Sequence, residues 1–172
     1  MIPDAFQTFY HAQYGIRWEG LLHALMQAPV RCLRLNGFSG CEVSGEEEQL
    51  PEMPHCIYPS NDFEPSLQPS GVMDYYRMDP ASVIPALALD VKEGDRVLDM
   101  CSAPGGKALI LAEALGDNGH LTTNEWSRAR KEKLRSVLKA YIPKTTFSNI
   151  RVTGHDASKW GLFEPDQYNR IL

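Results

Sequence analysis

The stretch Val97-Leu98-Asp99-Met100-Cys101-Ser102-Ala103-Pro104-Gly105-Gly106-Lys107 decides how this sequence folds. Arg96 to Met100 is a short, mostly apolar run with the character of a strand. Cys101 to Gly106 is small, turn-forming residues, a loop. Lys107 to Leu115 reads as a helix that stops before Gly116. Working outward, the alternation repeats. His120 to Asn124 is a second strand. Ser127 to Tyr141 is a long helix with Ser127 as its N-cap. Ile150 to Val152 is a third strand, and Arg170-Ile171-Leu172 begins a fourth. This βαβ rhythm predicts a parallel sheet covered by helices on both faces. Upstream, Asp79-Pro80-Ala81-Ser82 opens a helical run over Val83–Leu89, and Pro85 lies near its first turns, where proline is tolerated. Lys92-Glu93-Gly94-Asp95 is a turn.

The amino-terminal part has a different texture. From Phe6 to about Leu35, apolar residues recur at helical intervals, and Phe9, Tyr10, Tyr14, Trp18, Leu21, Leu22 and Leu25 share a broad face. Gly37 to Gly71 is punctuated by Pro51, Pro54, Pro59, Pro65 and Pro69 and reads as irregular, with a short strand near Cys56–Tyr58. The Glu46-Glu47-Glu48 run is a solvated surface loop. The expected organisation is a helical segment and irregular linker over 1–70, then an α/β half-domain over 71–172. Three strands and the start of a fourth are the amino-terminal half of a doubly wound sheet, so the expectation is a piece of something longer.

Bulk properties narrow the function classes. The formal charge is -5 and 43% of residues are hydrophobic. No run approaches the roughly 18 apolar residues of a membrane span, and the first residues resemble neither a signal nor a transit peptide. Residues 1–70 hold 3 Lys/Arg against 9 Asp/Glu, while residues 71–172 hold 14 against 13. A polyanion partner would therefore meet a local patch, not a basic body. Cys32, Cys41, Cys56 and Cys101 form no CxxC pair, which argues against a metal site and makes a reducing interior the default.

Three chemistries compete for the glycine loop at the carboxyl end of the first strand, where open α/β sheets bind nucleotide-like ligands. A phosphate loop needs Gly, four residues, then Gly-Lys-Ser/Thr, but Cys101 stands where the first Gly belongs and Ala108 replaces the hydroxyl residue. The dinucleotide pattern GxGxxG does not occur. An S-adenosylmethionine site needs a small-residue loop after the first strand and an acid after the second, and Glu125 supplies the acid. Gly105 and Gly106 are expected to let the backbone approach a ligand, and the helix N-terminus offers N–H groups to a carboxylate or phosphate. Asp156 follows the third strand, on the adenine side, although it is equally suited to capping the turn Asp156-Ala157-Ser158.

The residues Gly71 to Ser82 and Val97 to Lys107 resemble the Sun-type RNA (cytosine-5) methyltransferases, most of all their mitochondrial branch, which acts on ribosomal or transfer RNA. The similarity continues through Asn124-Glu125, Arg128, Arg130, Tyr141-Ile142-Pro143 and Asp156 to Gly161, and more loosely over residues 6–26. It implies a Rossmann-like, S-adenosylmethionine-dependent fold. It also implies cofactor contacts from Cys101, Ser102, Ala103, Pro104, Gly105, Gly106, Lys107, Glu125, Arg130 and Asp156, with Glu125 on the ribose hydroxyls and Asp156 beside the adenine. Many members carry Asp where Glu125 stands. The family's catalytic cysteines follow the fourth strand and a later one, so the resemblance places no catalytic residue in this chain. It implies a mitochondrial location, with the cytoplasm as the alternative, RNA as partner together with ribosome-assembly proteins, and no role for a membrane or metal.

Arg128, Arg130, Lys131, Lys133, Arg135 and Lys139 crowd the long helix, either as a solvated face or as a strip that holds RNA phosphates. Tyr75, Tyr76 and Trp126 are candidates to stack on bases or to fill a core. A methyltransferase-like assembly factor without catalysis is the competing reading. A small-molecule methyltransferase shares the sheet but leaves the loop string unexplained.

Overall fold

In the computed structural model the four predicted strands form one parallel sheet, with Ile150–Thr153 and Arg170–Ile171 at its two edges. Residues 3–28, 30–42, 50, 53–58 and 63–172 are described, and the Glu46-Glu47-Glu48 run lies outside them. In chain order the elements begin with α1 (Asp4–Tyr14), α2 (Trp18–Met26), β1 (Cys32–Leu35), β2 (Cys56–Ile57), β3 (Tyr75–Met78) and α3 (Val83–Ala88). They continue with β4 (Arg96–Asp99), α4 (Gly106–Leu115), β5 (His120–Asn124), α5 (Arg128–Tyr141), α6 (Lys144–Phe147), β6 (Ile150–Thr153), α7 (Trp160–Phe163) and β7 (Arg170–Ile171).

The chain turns outward through β4, β5 and β6, then returns so that β7 pairs with the other edge of β4, Val97 opposite Arg170 and Leu98 opposite Ile171. The order therefore reverses at β4, and the crevice at its carboxyl end is the switch point of the sheet. Against this sheet packs α4, whose Gly106, Ala108 to Ala112 and Leu115 are all buried. A helix apolar on every side needs a second covering layer.

That layer is the main departure from expectation. A second, antiparallel sheet runs β2-β1-β3, so residues 32–35 are strand where a helical segment extends on sequence grounds to about Leu35. The reason is two-sided burial. Cys32, Cys56 and Met78 pack into the core that contains α4, while Leu33, Leu35, Ile57 and Tyr75 form a separate cluster on the opposite side. Arg34, also in β1, makes a two-pronged pair with Glu113 of α4 at 2.8 and 2.7 Å, with side chains only 7% and 15% exposed. Such a pair is tolerated inside because both charges are neutralised and hydrogen-bonded. The expected division fell at 70/71; one compact unit of the structure covers Met1–Val30 and the other Arg31–Leu172, with β1 and β2 joined to β3 in the second. Within the first unit, α1 and α2 are held by rings. Trp18 is its buried residue, with Tyr10 stacked on it at 5.5 Å and Phe6 at 5.9 Å.

Candidate functional site

The crevice is built by the ends of three strands, and one buried side chain joins them. Asn124, 1% exposed at the end of β5, donates through Nδ2 to the carbonyls of Met100 (3.1 Å) and His155 (3.0 Å). Its Oδ1 accepts from the His155 backbone N–H at 2.8 Å and the Thr153 hydroxyl at 2.9 Å. The segments leaving β4, β5 and β6 are thus fixed by a single amide. The loop after β4 gains further anchors: Ser102 N–H donates to the Asn124 carbonyl at 2.9 Å, and Ser102 Oγ to the Asp99 carbonyl at 3.2 Å.

The loop delivers the chain into α4 at Gly105, whose φ of 123° lies where L side chains are strained. The two glycines are also required by packing within the protein. A Cβ at Gly105 would meet Val137 at 3.1 Å and Leu134 at 3.2 Å, and one at Gly106 would meet the Tyr76 ring at 2.8 Å. Their smallness lets α5 and β3 close on the loop. The start of α4 has no side-chain cap, so its first N–H groups remain available to an acceptor.

Glu125 follows directly and is 5% exposed. One carboxylate oxygen accepts the Ser127 N–H at 2.8 Å, and the other lies 3.4 Å from the Arg130 guanidinium. Arg130 also donates to the Ala103 carbonyl at 2.9 Å, so it straps the loop to the acid. Ser127 caps α5 as expected, its hydroxyl accepting from the Arg130 N–H at 3.5 Å. The structure thus brings Ala103, Glu125 and Arg130 together. Asp156 behaves as a turn cap: its carboxylate accepts the Ser158 N–H at 3.1 Å and the Ser158 hydroxyl at 2.7 Å, with Lys159 at 3.6 Å. Those Ser158 hydrogen bonds hold its carboxyl below the usual range.

Two residues given no site role on sequence grounds lie at the strand ends that form the crevice. One is Asn124. The other is Asp99, 3% exposed, with Oδ2 buried and unpartnered. Burial pushes its carboxyl upward, opposed by hydrogen bonds from Ser102 and Cys101 and by the Lys107 charge. The Asp99 signal is a lone acid ending an apolar strand. Beside the loop a cavity of about 170 Å³ is lined by Arg31, Tyr76, Asp79, Ser102, Gly106 and Lys107. A larger one of about 470 Å³, near Arg96, His120 and Ile150, sits at the opposite, amino ends of the strands, where open sheets do not bind their ligands.

Cys32 and Cys56 are fully buried, Cys41 is half-buried and Cys101 is exposed in the loop. Hydrogen bonding to Cys56 and burial push the Cys32 thiol far up, which disfavours its thiolate. Of the aromatic candidates, Tyr75 is core, and Tyr76 packs edge-on against Tyr141 at 5.1 Å. Trp126 alone among these three is exposed, at 70%.

The sequence profile of the family described as 16S rRNA methyltransferase RsmB/F matches residues 86–172, which include the loop, Glu125, Arg130 and Asp156. The chain belongs to this family of RNA cytosine-5 methyltransferases. It is 34% identical to the mouse 5-cytosine rRNA methyltransferase NSUN4 over 97% of its own length and 53% of that protein. Against the mouse mitochondrial tRNA (cytosine(34)-C(5))-methyltransferase it is 31% identical over 77% of its length and 34% of the relative. The chain therefore spans about half the length of the NSUN4 relatives. Among solved structures, NSun6 from Pyrococcus horikoshii superposes with a TM-score of 0.75 at 16% identity, covering 98% of this chain and 69% of that one. A methyltransferase homolog from the same organism gives 0.72 at 21% identity, over 94% of this chain and 55% of that chain. These similarities establish the Rossmann-like methyltransferase fold. The cofactor of the family is S-adenosylmethionine. The residues present fit it chemically: buried carboxylates at Glu125 and Asp99 are acceptors suited to hydroxyl and ammonium donors, and the uncapped start of α4 suits a carboxylate.

Proposed function

We propose that this chain is the cofactor-binding half of an RNA cytosine-5 methyltransferase that acts on ribosomal or transfer RNA. The observation that carries the reading is the loop from Cys101 to Lys107 strapped by Arg130 to a buried carboxylate at the next strand end. Glu125 accepts hydrogen bonds from the two ribose hydroxyls, exchanging the Arg130 contact for them. Asp156 lies by the adenine edge, and the first N–H groups of α4, from Gly106 and Lys107, receive the methionine carboxylate. Asp99, Cys101, Ser102, Ala103, Pro104 and Gly105 shape the floor between them.

When bound, S-adenosylmethionine supplies an electrophilic methyl group for C5 of cytosine. The chain's part is to hold that group in a fixed orientation, which is worth orders of magnitude in rate. None of Cys32, Cys41, Cys56 and Cys101 acts as the nucleophile in this reaction. The name of the mitochondrial tRNA relative supports a mitochondrial location, with the cytoplasm as the alternative, and RNA and ribosome-assembly proteins as partners.

The test is label transfer. The protein carrying this chain, at its natural length, is incubated with methyl-tritiated S-adenosylmethionine and either small-subunit ribosomal RNA or transfer RNA. Tritium at cytosine C5 in one of the two is expected. A folded, cofactor-binding protein that labels neither would overturn the enzymatic reading in favour of an assembly role.

A further inference from the structure

Helix α5 is arranged against its own stability. Its first turn contains Arg128, Arg130 and Lys131 and no acid, although cations near a helix N-terminus oppose the macrodipole. The whole chain is acidic, with a net charge of -5, so this concentration is not a by-product of basic composition.

The cations are also sorted by face. Each residue advances about 100° around a helix. Measured from fully buried Leu134, Lys131, Arg135, Arg128 and Lys139 fall at about 60°, 100°, 120° and 140°. Lys133 falls on the other flank at about 260°, among Ala129, Ser136 and Ala140. Arg130 is turned inward to Glu125 and Ala103. Four cations therefore line one flank over about 16 Å, counting 1.5 Å per residue. Glu132 is the acid on that flank and is taken by Arg135 at 2.8 Å. Among the described residues, Arg128, Lys131 and Lys139 have no acid partner. On this flank the Lys131 Nζ stands over Gly154, which directly follows β6. At the end of α5 next to the crevice stands Trp126, 70% exposed beside buried Glu125.

We propose that this flank is the track on which a single RNA strand lies, its phosphates on Arg128, Lys131, Arg135 and Lys139 and a base stacked on Trp126. The inference rests on the RNA reading above and adds the surface that serves it. Cations spaced along a helix neutralise phosphates without reading sequence, and an exposed aromatic beside them holds a base by its face. The track begins at the end of α5 next to buried Glu125, the acid proposed for the cofactor ribose.

The test uses this chain and a fluorescein-labelled, mixed-sequence single-stranded RNA, with anisotropy read between 50 and 200 mM salt. Each phosphate contact on a single strand contributes about 0.7 to the slope of log K against log salt. The double variant Arg128→Gln/Lys139→Gln is expected to flatten that slope by about 1.4. Lys133→Gln, on the opposite flank, is expected to leave it unchanged. Trp126→Ala should weaken binding about tenfold with the slope intact. Circular dichroism and S-adenosylmethionine titration confirm that each variant is folded. Equal slopes for wild type and the double variant, or an equal loss from Lys133→Gln, would overturn the track while leaving RNA as the substrate. Absence of RNA binding by the wild-type chain would also overturn it, and tritium transfer then decides the RNA reading separately.

Discussion

Replacing Asn124 by alanine is expected to loosen the whole crevice, because this amide is the joint of three strand ends. Four hydrogen bonds at 2.8 to 3.1 Å are lost at once. Each contributes about 1 kcal/mol net, and a buried group left unpaired costs about 1–3 kcal/mol. Met100 and Thr153 are half-buried and His155 is exposed, so water recovers part of the loss. The expected destabilisation is about 2–4 kcal/mol, large against the 5–15 kcal/mol typical of a domain. Urea unfolding followed by circular dichroism measures it. Asn124→Asp separates the two halves of the joint. It keeps the acceptor for His155 and Thr153 but turns a carboxylate towards two carbonyls. The proton that restores a donor is held more tightly in the folded state, so this variant should regain stability as pH falls through its raised folded pKa. A loss below about 1 kcal/mol for alanine, with cofactor affinity unchanged, would refute the role given to Asn124.

Other outcomes follow from the same contacts. Gly105→Ala forces a side chain onto a φ of 123° and into Val137, so it should cost at least about 1–2 kcal/mol; a neutral substitution would show that the loop conformation is not constrained. Glu113→Gln leaves Arg34 buried without its counter-charge and should cost about 3–5 kcal/mol, whereas Arg34→Met with Glu113→Met should cost far less; unfolding midpoints decide between them. Burial raises the Asp99 pKa, so the folded state binds that proton more tightly than the unfolded chain. Asp99 therefore makes stability fall as pH rises from about 3.8 to its raised folded value. Asp99→Asn should lack that slope, so the difference in stability between wild type and variant should change across this pH range, and parallel curves would contradict it.

The parallel half of the fold was legible because its signals are local. Apolar runs, turn residues and the Ser127 cap mark β4, α4, β5 and α5 to within a residue or two. The antiparallel sheet was not, because its strands derive their identity from partners far away. Leu33 pairs with Arg77, and Arg34 is acceptable inside only because Glu113, 79 positions on, meets it. A four-residue run buried on both faces has no period of its own to read. The site was partly legible in the same way. The glycine loop and Glu125 are ordered by strand ends, but the strap from Arg130 to Ala103 and the four bonds of Asn124 exist only once β4, β5 and β6 lie side by side. Gly105 and Gly106 show the limit of motif reading: their positions were visible, yet Val137, Leu134 and Tyr76, the groups that require their smallness, were not.

The most direct measurement is calorimetric titration of S-adenosylmethionine into this chain and into its Glu125→Ala variant. The account predicts saturable binding by the wild type and at least tenfold weaker binding by the variant, since the loss of a charged hydrogen-bond acceptor costs about 1.5–3 kcal/mol. Binding that is indifferent to Glu125, or no binding by a chain shown to be folded, would contradict it.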